Sequence, residues 1–228
     1  VGTVERRERE KAELRQLIMD TARKLFAERG FDAVSMRAIA DAIEYSPTAI
    51  YLYFPDKEAL FRQLCHADFA SLAQAFHRIG QIDDPVERIR QVGRAYVRFG
   101  IEHPQHYRLM FMTPAKLELG EDARQAMTDP SRDGYAFLRL CVQGALKHDA
   151  FRNEYADVEL LCQTLWAAMH GVTALQVTHG NDPCTDWRPI DVRLSTMGDA
   201  VLRGLCKPGR FDSRHVVADV PLREEVLS

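Results

Sequence analysis

Ser35-Met36-Arg37-Ala38-Ile39-Ala40-Asp41-Ala42-Ile43-Glu44-Tyr45-Ser46-Pro47-Thr48-Ala49-Ile50-Tyr51-Leu52-Tyr53-Phe54 is the stretch on which the reading of this chain turns. It reads as two short helices joined by a tight turn. Ser35 is a natural N-cap, because its hydroxyl accepts from an orphan N–H of the first turn. Ile39, Ala40 and Ile43 follow at the i, i+1, i+4 spacing of one helix face. Ser46 caps a second time, and Pro47 suits the first helical position, where its missing N–H costs nothing. Ala49, Ile50 and Phe54 of the second helix then supply its inner side. Thr48, Tyr51 and Tyr53 are left to point elsewhere, and hydroxyls and aromatic rings there suit DNA phosphates and base edges. The residues alone leave another reading open, a helical hairpin with two partly exposed tyrosines.

Extended through Pro55-Asp56-Lys57-Glu58-Ala59-Leu60, the stretch resembles the N-terminal DNA-binding domain of the TetR family of transcriptional regulators. The resemblance runs from about Leu14 to Leu64. It is most specific from Ser46 to Leu60, where Tyr51-Leu52-Tyr53-Phe54 directly precedes a capped Asp-Lys-Glu helix start. It implies a helix-turn-helix whose second helix enters the major groove. The DNA-binding residues it implies are Ser35, Arg37, Ser46, Pro47, Thr48, Tyr51, Tyr53 and Lys57, the last standing where the family has a phosphate-binding lysine. Two departures stand out. The family usually has glycine in the turn, where φ is positive, and this chain has Glu44; a side chain there costs roughly 1–2 kcal/mol. Ala38 stands where a carboxylate often completes a capping box. Neither departure removes a DNA contact.

A chain of 228 residues forms one large domain or two small ones, and its 46% hydrophobic content supplies an ordinary core. A net charge of −3 argues against a protein that coats nucleic acid. Acids and bases balance within residues 1–54, so a DNA-facing surface has to come from local arrangement of charge. Arg6, Arg7, Arg9, Lys11 and Arg15 alternate with Glu5, Glu8, Glu10 and Glu13. That pattern fits a solvated helix with i, i+4 pairs or an arm against phosphate or the minor groove. Five widely spaced cysteines with no C-x-x-C pair indicate neither a disulfide framework nor a zinc site. Reduced thiols, no leader and no membrane-length apolar run fit a cytoplasmic protein.

Every strong pattern along the chain is helical, so the fold class is all-α. A first helix is expected from about Glu8 to Arg29, with Leu14, Leu17, Ile18, Ala22, Leu25 and Phe26 inward and Gly30 as its C-cap. Asp56 should cap the next, reaching about Ile79. Further helices follow from Pro85 to before His103-Pro104, from Gln105 to Met112, and from about Asp122 to His148 with a break near Asp129-Pro130. Asp157 to Thr178 is apolar on most sides, and Ile190 to Leu205 carries one apolar stripe. The expected organisation is a DNA-binding domain at 1–55, a helical effector-binding and dimerisation domain at 56–206, and a tail at 207–228.

The Trp166-x-x-x-His170-Gly171 run resembles a C-terminal domain type of this family named for a Trp-His-Gly signature. Trp166 and His170 share a helix face. With Tyr107, Met110, Phe111 and Phe137 they are candidates to line an effector pocket, although such groups also serve as plain core. Gly198, Ala200 and Gly204 allow close approach of a second copy, and in the family the last two helices form a four-helix bundle with their mate. His103 and His106 lack a third ligand, so no metal is expected. The absence of a phosphate loop or nucleophile elbow argues against an enzyme, and no cofactor is expected. The function implied is a transcriptional regulator, read as a repressor, whose homodimer leaves a double-stranded inverted-repeat operator when a small apolar or aromatic effector binds. The alternative is a TetR-like architectural protein without an effector.

Overall fold

The computed structural model describes residues 2–114, 125 and 127–211, and among them lie nine α-helices and one 3-10 helix. In chain order these are α1 (Thr3–Arg29), α2 (Met36–Ala42), α3 (Pro47–Tyr51), α4 (Lys57–Phe76), a 3-10 turn (His77–Gln81), α5 (Pro85–Glu102), α6 (Pro104–Met112), α7 (Gly134–Lys147), α8 (Val158–His179) and α9 (Ile190–Leu205). The chain forms two compact units. One takes Val1–Ser71 with His103–Ala126, the other Leu72–Glu102 with Met127–Ser228. Among the described residues no helix is long and apolar enough to cross a membrane.

The first unit is built on α1, α2, α3, α6 and most of α4. Ile18, Ala22 and Phe26 of α1 meet Ile39, Ile50, Phe54, Leu60 and Leu64 in one buried cluster. The rings of Phe26, Phe31 and Phe61 pack with centroids 4.9–5.6 Å apart, close enough for edge and tilted contacts. Gly30 closes α1 at φ 82°, a conformation that glycine adopts without a Cβ clash. α1 starts at Thr3, ahead of the expected Glu8, because its polar first turns satisfy themselves. The Glu5 carboxylate accepts from the Gly2 amide at 3.1 Å, and Arg6 pairs with Glu10 at 3.5 Å. Leu17, expected inside, is 45% exposed, since it lies about 100° round the helix from Ile18. This unit reaches beyond residue 55 because α4 completes its core and α6 packs on α1.

The second unit packs α5 against α7 and α8, with α9 on α5 and α8. Val86, Ile89, Val92, Tyr96 and Val97 give α5 its buried face, at the spacing the sequence shows. The break expected at Asp129-Pro130 is a turn in which Asp129 accepts from the Ser131 amide at 2.9 Å and its hydroxyl at 2.7 Å. Asp133 then caps α7, accepting from the Ala136 amide at 2.7 Å. The earlier part of that expected helix lies outside the described residues. Asp157 caps α8 by accepting from the Glu159 and Leu160 amides. Cys141, Cys162 and Cys206 are buried thiols, and burial raises them to about 11, 12 and 11.

Candidate nucleic-acid interface

Two capped helices and the turn between them make the interface. The Ser35 hydroxyl accepts from the Ala38 amide at 3.1 Å, and the Ser46 hydroxyl from the Ala49 amide at 3.3 Å. Each serine is therefore bound to its own backbone and sets where its helix begins. Between them Glu44 takes φ 61°. The Tyr45 amide donates to the Ala40 carbonyl at 3.0 Å and the Glu44 amide to that of Asp41 at 3.3 Å. This is a Schellman ending with a glutamate in the place that glycine usually fills. The turn keeps the geometry that the missing glycine had put in question.

α3 has only five residues, and its position rests on Ile50 and Phe54, 0% and 1% exposed. The opposite side is open: Thr48 is exposed and Tyr51 is 51% exposed. Tyr53 differs from them, being half-buried and packed against the core cluster. Leu52, which sequence reasoning passed over, is 79% exposed at the end of the same helix. Its signal was present: the register that places Ile50 and Phe54 inside leaves Leu52 in solvent. An apolar side chain there suits a thymine methyl group. Arg37 is exposed on α2 and lies 4.0 Å from Asp41.

Asp56 caps α4 by accepting from the Ala59 amide at 2.6 Å. Next to it the Lys57 ammonium donates to the Phe31 carbonyl at 3.0 Å and sits 4.2 Å from the centre of the Phe31 ring. An ammonium has three donors, and this bond uses one. Ser35, Tyr51, Asp56 and Lys57 border a shallow open groove of about 470 Å³, whose floor includes Val34 and Met36 and whose rim carries Asp32 and Glu58. The hydroxyl, the phenol and the ammonium are thus brought to one concavity.

The six candidate effector residues fall into two groups. Tyr107, Met110 and Phe111 belong to the first unit, where Tyr107 is fully buried and Phe111 packs on both Tyr107 and Phe69. Phe137, Trp166 and His170 belong to the second, where Phe137 stacks on Phe76. Trp166 and His170 are linked through Tyr96 of α5. The Trp166 N–H donates to the Tyr96 oxygen at 3.2 Å, and that oxygen lies 3.0 Å from His170 Nδ1. The Tyr96 oxygen and His170 Nδ1 share one proton in this contact, supplied by the phenol when the ring carries its own proton on Nε2. Burial lowers the His170 pKa and favours the neutral ring. Tyr96 reads in the sequence as a core position, and only packing reveals its polar partners. The Tyr135 ring packs on Trp166 and its O–H donates to Glu159 at 2.8 Å, while Arg139 lies 2.7 Å from the same carboxylate. His103 and His106 stack with ring centroids 5.2 Å apart, and His106 meets Asp68.

Known proteins align with both parts of the chain. The model of bacterial regulatory proteins of the tetR family matches residues 18–64, and that of a tetracyclin repressor-like C-terminal domain matches residues 89–205. The chain is 31% identical over 116 residues to the HTH-type transcriptional repressor AcnR of Corynebacterium glutamicum, a match covering 51% of this chain and 52% of AcnR. It thus spans about half the length of that relative. A 24% identity to the HTH-type transcriptional repressor NicS of Pseudomonas putida extends over 84% of this chain and 92% of NicS. The solved TetR family transcription regulator of Marinobacter aquaeolei VT8 superposes with a TM-score of 0.70 over 88% of this chain and 98% of its own, at 18% identity, which is a likeness of fold. With the C-terminal match alone spanning half of its residues, the chain belongs to the TetR family of bacterial regulatory proteins.

Proposed function

We propose that the protein is a cytoplasmic transcriptional repressor whose homodimer reads an inverted-repeat operator with α3 and leaves it when a small apolar or aromatic molecule binds the second unit. The observation that carries DNA reading is the division of α3: Ile50 and Phe54 are buried while Thr48, Tyr51 and Leu52 are exposed beside a groove bordered by Ser35 and Lys57. Thr48, Tyr51 and Leu52 take the base edges and adjoining sugars, and Lys57 and the α2 start take phosphate, with Arg37 supporting. AcnR and NicS are both named transcriptional repressors, which supports repression as the direction of control.

Dimerisation is supported by α8 and α9. Leu160, Leu175, Val192 and Met197 are 55%, 49%, 53% and 39% exposed on the single chain. A Cβ added at Gly171, Gly198 or Gly204 meets nothing within 4 Å, so a second backbone has room to approach. α8 is apolar on most sides, and in the proposed dimer its open face is covered by the mate. The effector reading rests on the Trp166–Tyr96–His170 network, with Tyr96 buried and the Tyr135 ring against Trp166, at the Trp-His-Gly run. Selection of bound fragments from a random DNA pool, followed by footprinting, tests the whole reading. A two-fold symmetric site with half-sites about 34–36 Å apart, or a multiple of that, is the expected result. Recovery of no preferred sequence would favour the ligand-independent architectural role.

A further inference from the structure

α1 extends well past the core it belongs to. Its packing on the buried cluster of the first unit begins at Leu14, and Val4 to Glu13, about 15 Å of helix, are exposed throughout. No packing holds this segment helical. Arg, Glu, Lys and Ala are strong helix formers, and a helix that grows backward from a packed one needs no new nucleus. Its first turn is closed by the Glu5 carboxylate, which accepts from the Gly2 amide at 3.1 Å.

Bases and acids alternate along this segment, and the helix separates them. At about 100° per residue, Arg7, Lys11 and Arg15 fall within about 40° of one line, on which Ile18, Ala22 and Leu25 also lie. Those three are buried in one cluster with Ile39 of α2 and Ile50 of α3, so the basic stripe continues the side of α1 that holds the two helices. Arg15 marks the junction. Its guanidinium lies 5.3 Å from the centre of the Phe54 ring, just beyond the end of α3, and donates to Gln63 of α4. Val4 shares the stripe and Glu8 borders it. Glu5, Arg6, Arg9, Glu10 and Glu13 take the far side, where Arg6 pairs with Glu10 at 3.5 Å. Among the described residues Arg7 and Lys11 enter no ion pair, so no carboxylate neutralises them.

We propose that the start of α1 is a rigid helical arm whose Arg7 and Lys11 hold DNA phosphates, in addition to the contacts made from α2 and α4. This rests on the reading of the first unit as the DNA-binding head. An α-helix about 10–12 Å across does not enter a minor groove about 6 Å wide, so the arm meets the backbone from outside that groove and carries no base information.

The test compares the full chain with three variants. Arg7→Gln/Lys11→Gln removes the stripe, Arg6→Gln/Arg9→Gln removes the same charge from the far side, and Ala12→Pro keeps every charge while breaking the helix between arm and head. Each protein is titrated with the selected operator over a range of salt. The log-salt slope is expected to fall by about 2 for each bound head in Arg7→Gln/Lys11→Gln. Between about 50 and 200 mM salt, each head of the parent then loses about tenfold more affinity than the variant's. Arg6→Gln/Arg9→Gln should stay within about 0.5 of the parent slope, and Ala12→Pro should fall with the stripe variant. Equal effects of the two double variants mean that net charge alone acts and overturn the proposal, as does an unchanged slope in Arg7→Gln/Lys11→Gln. A parental slope in Ala12→Pro overturns the rigid arm. Preference among operator variants is expected to be the same in all four proteins, and an altered preference in Arg7→Gln/Lys11→Gln overturns the assignment to phosphate. If the parent selects no sequence, the repressor reading fails, and the same slopes on random duplex DNA still decide the arm. A parent that binds no duplex at all overturns both.

Discussion

At the residue scale, two side chains among the described residues sit where glycine is usual. Glu44 at φ 61° and Asp149 at φ 55° both end helices. Glu44 is exposed, whereas the Asp149 carboxylate is 2.5 Å from the Lys207 ammonium, which lowers its pKa. Glu44→Gly is expected to stabilise the protein by about 0.5–1 kcal/mol in urea unfolding, glycine's freedom in the unfolded chain offsetting part of the relief. Asp149→Gly, which loses the lysine, should gain less. Lys57→Ala is expected to weaken binding to all sequences alike and to lower the log-salt slope by about 1, because a phosphate contact carries no base information. A change of sequence preference instead would place Lys57 at a base edge. His170 titrates in the other direction from a salt-bridged histidine. Its folded pKa lies below the ordinary value near 6.5 because burial disfavours the imidazolium, so the unfolded chain takes the proton first. Stability is therefore expected to fall as pH drops through that value, and His170→Gln should flatten this part of the profile. An identical profile in the variant would show that other histidines set it.

At the scale of elements, α3 is too short to be a helix on its own, since nucleation is unfavourable and five residues add few bonds beyond it. It persists because Ser46 and Pro47 start it and Ile50 and Phe54 are buried. α8 and α9 are long enough to stand, but their exposed stripes are out of keeping with a lone surface. On α9, Val192, Thr196, Ala200 and Gly204 are exposed at four-residue steps, which brings them to one side. An isologous dimer through this side places each residue near its own symmetry mate. Ala200→Glu is expected to halve the mass seen by light scattering while leaving the helical circular dichroism signal intact. A variant that stays dimeric would move the interface elsewhere.

At the scale of the whole molecule, a net charge of −3 means that DNA is not drawn in by the average field. In the proposed dimer, binding comes from two heads acting at once, each offering a short reader and a few donors. An effector that fits one arrangement better than the other shifts operator affinity by its own difference in affinity for the two, typically about 5–150-fold. The same factor has to appear in reverse. Operator DNA is expected to weaken binding of an apolar or phenolic ligand by the factor with which that ligand weakens operator binding. Trp166 fluorescence supplies the ligand titration, and unequal factors would show that the two do not share one equilibrium.

What the sequence determined by itself was local. Ser35, Ser46, Asp56, Asp133 and Asp157 cap helices because a side-chain oxygen reaches amides two or three residues ahead, which depends on nothing distant. The departure at Glu44 was legible for the same reason: a Schellman turn sets the sign of φ within a few residues. Apolar spacing identified a face on α1, α5 and α9, but not what that face meets. Tertiary packing alone brought Tyr53 against the core, left Leu17 in solvent, and placed α6 with the first unit. It alone joined Tyr96 to Trp166 and His170 across some 70 residues, and Arg23 to Asp68 and His106 across three helices. A periodic pattern records only that a residue is suited to burial; its partner is chosen by how whole helices fit, and that choice is written in no single window of the chain.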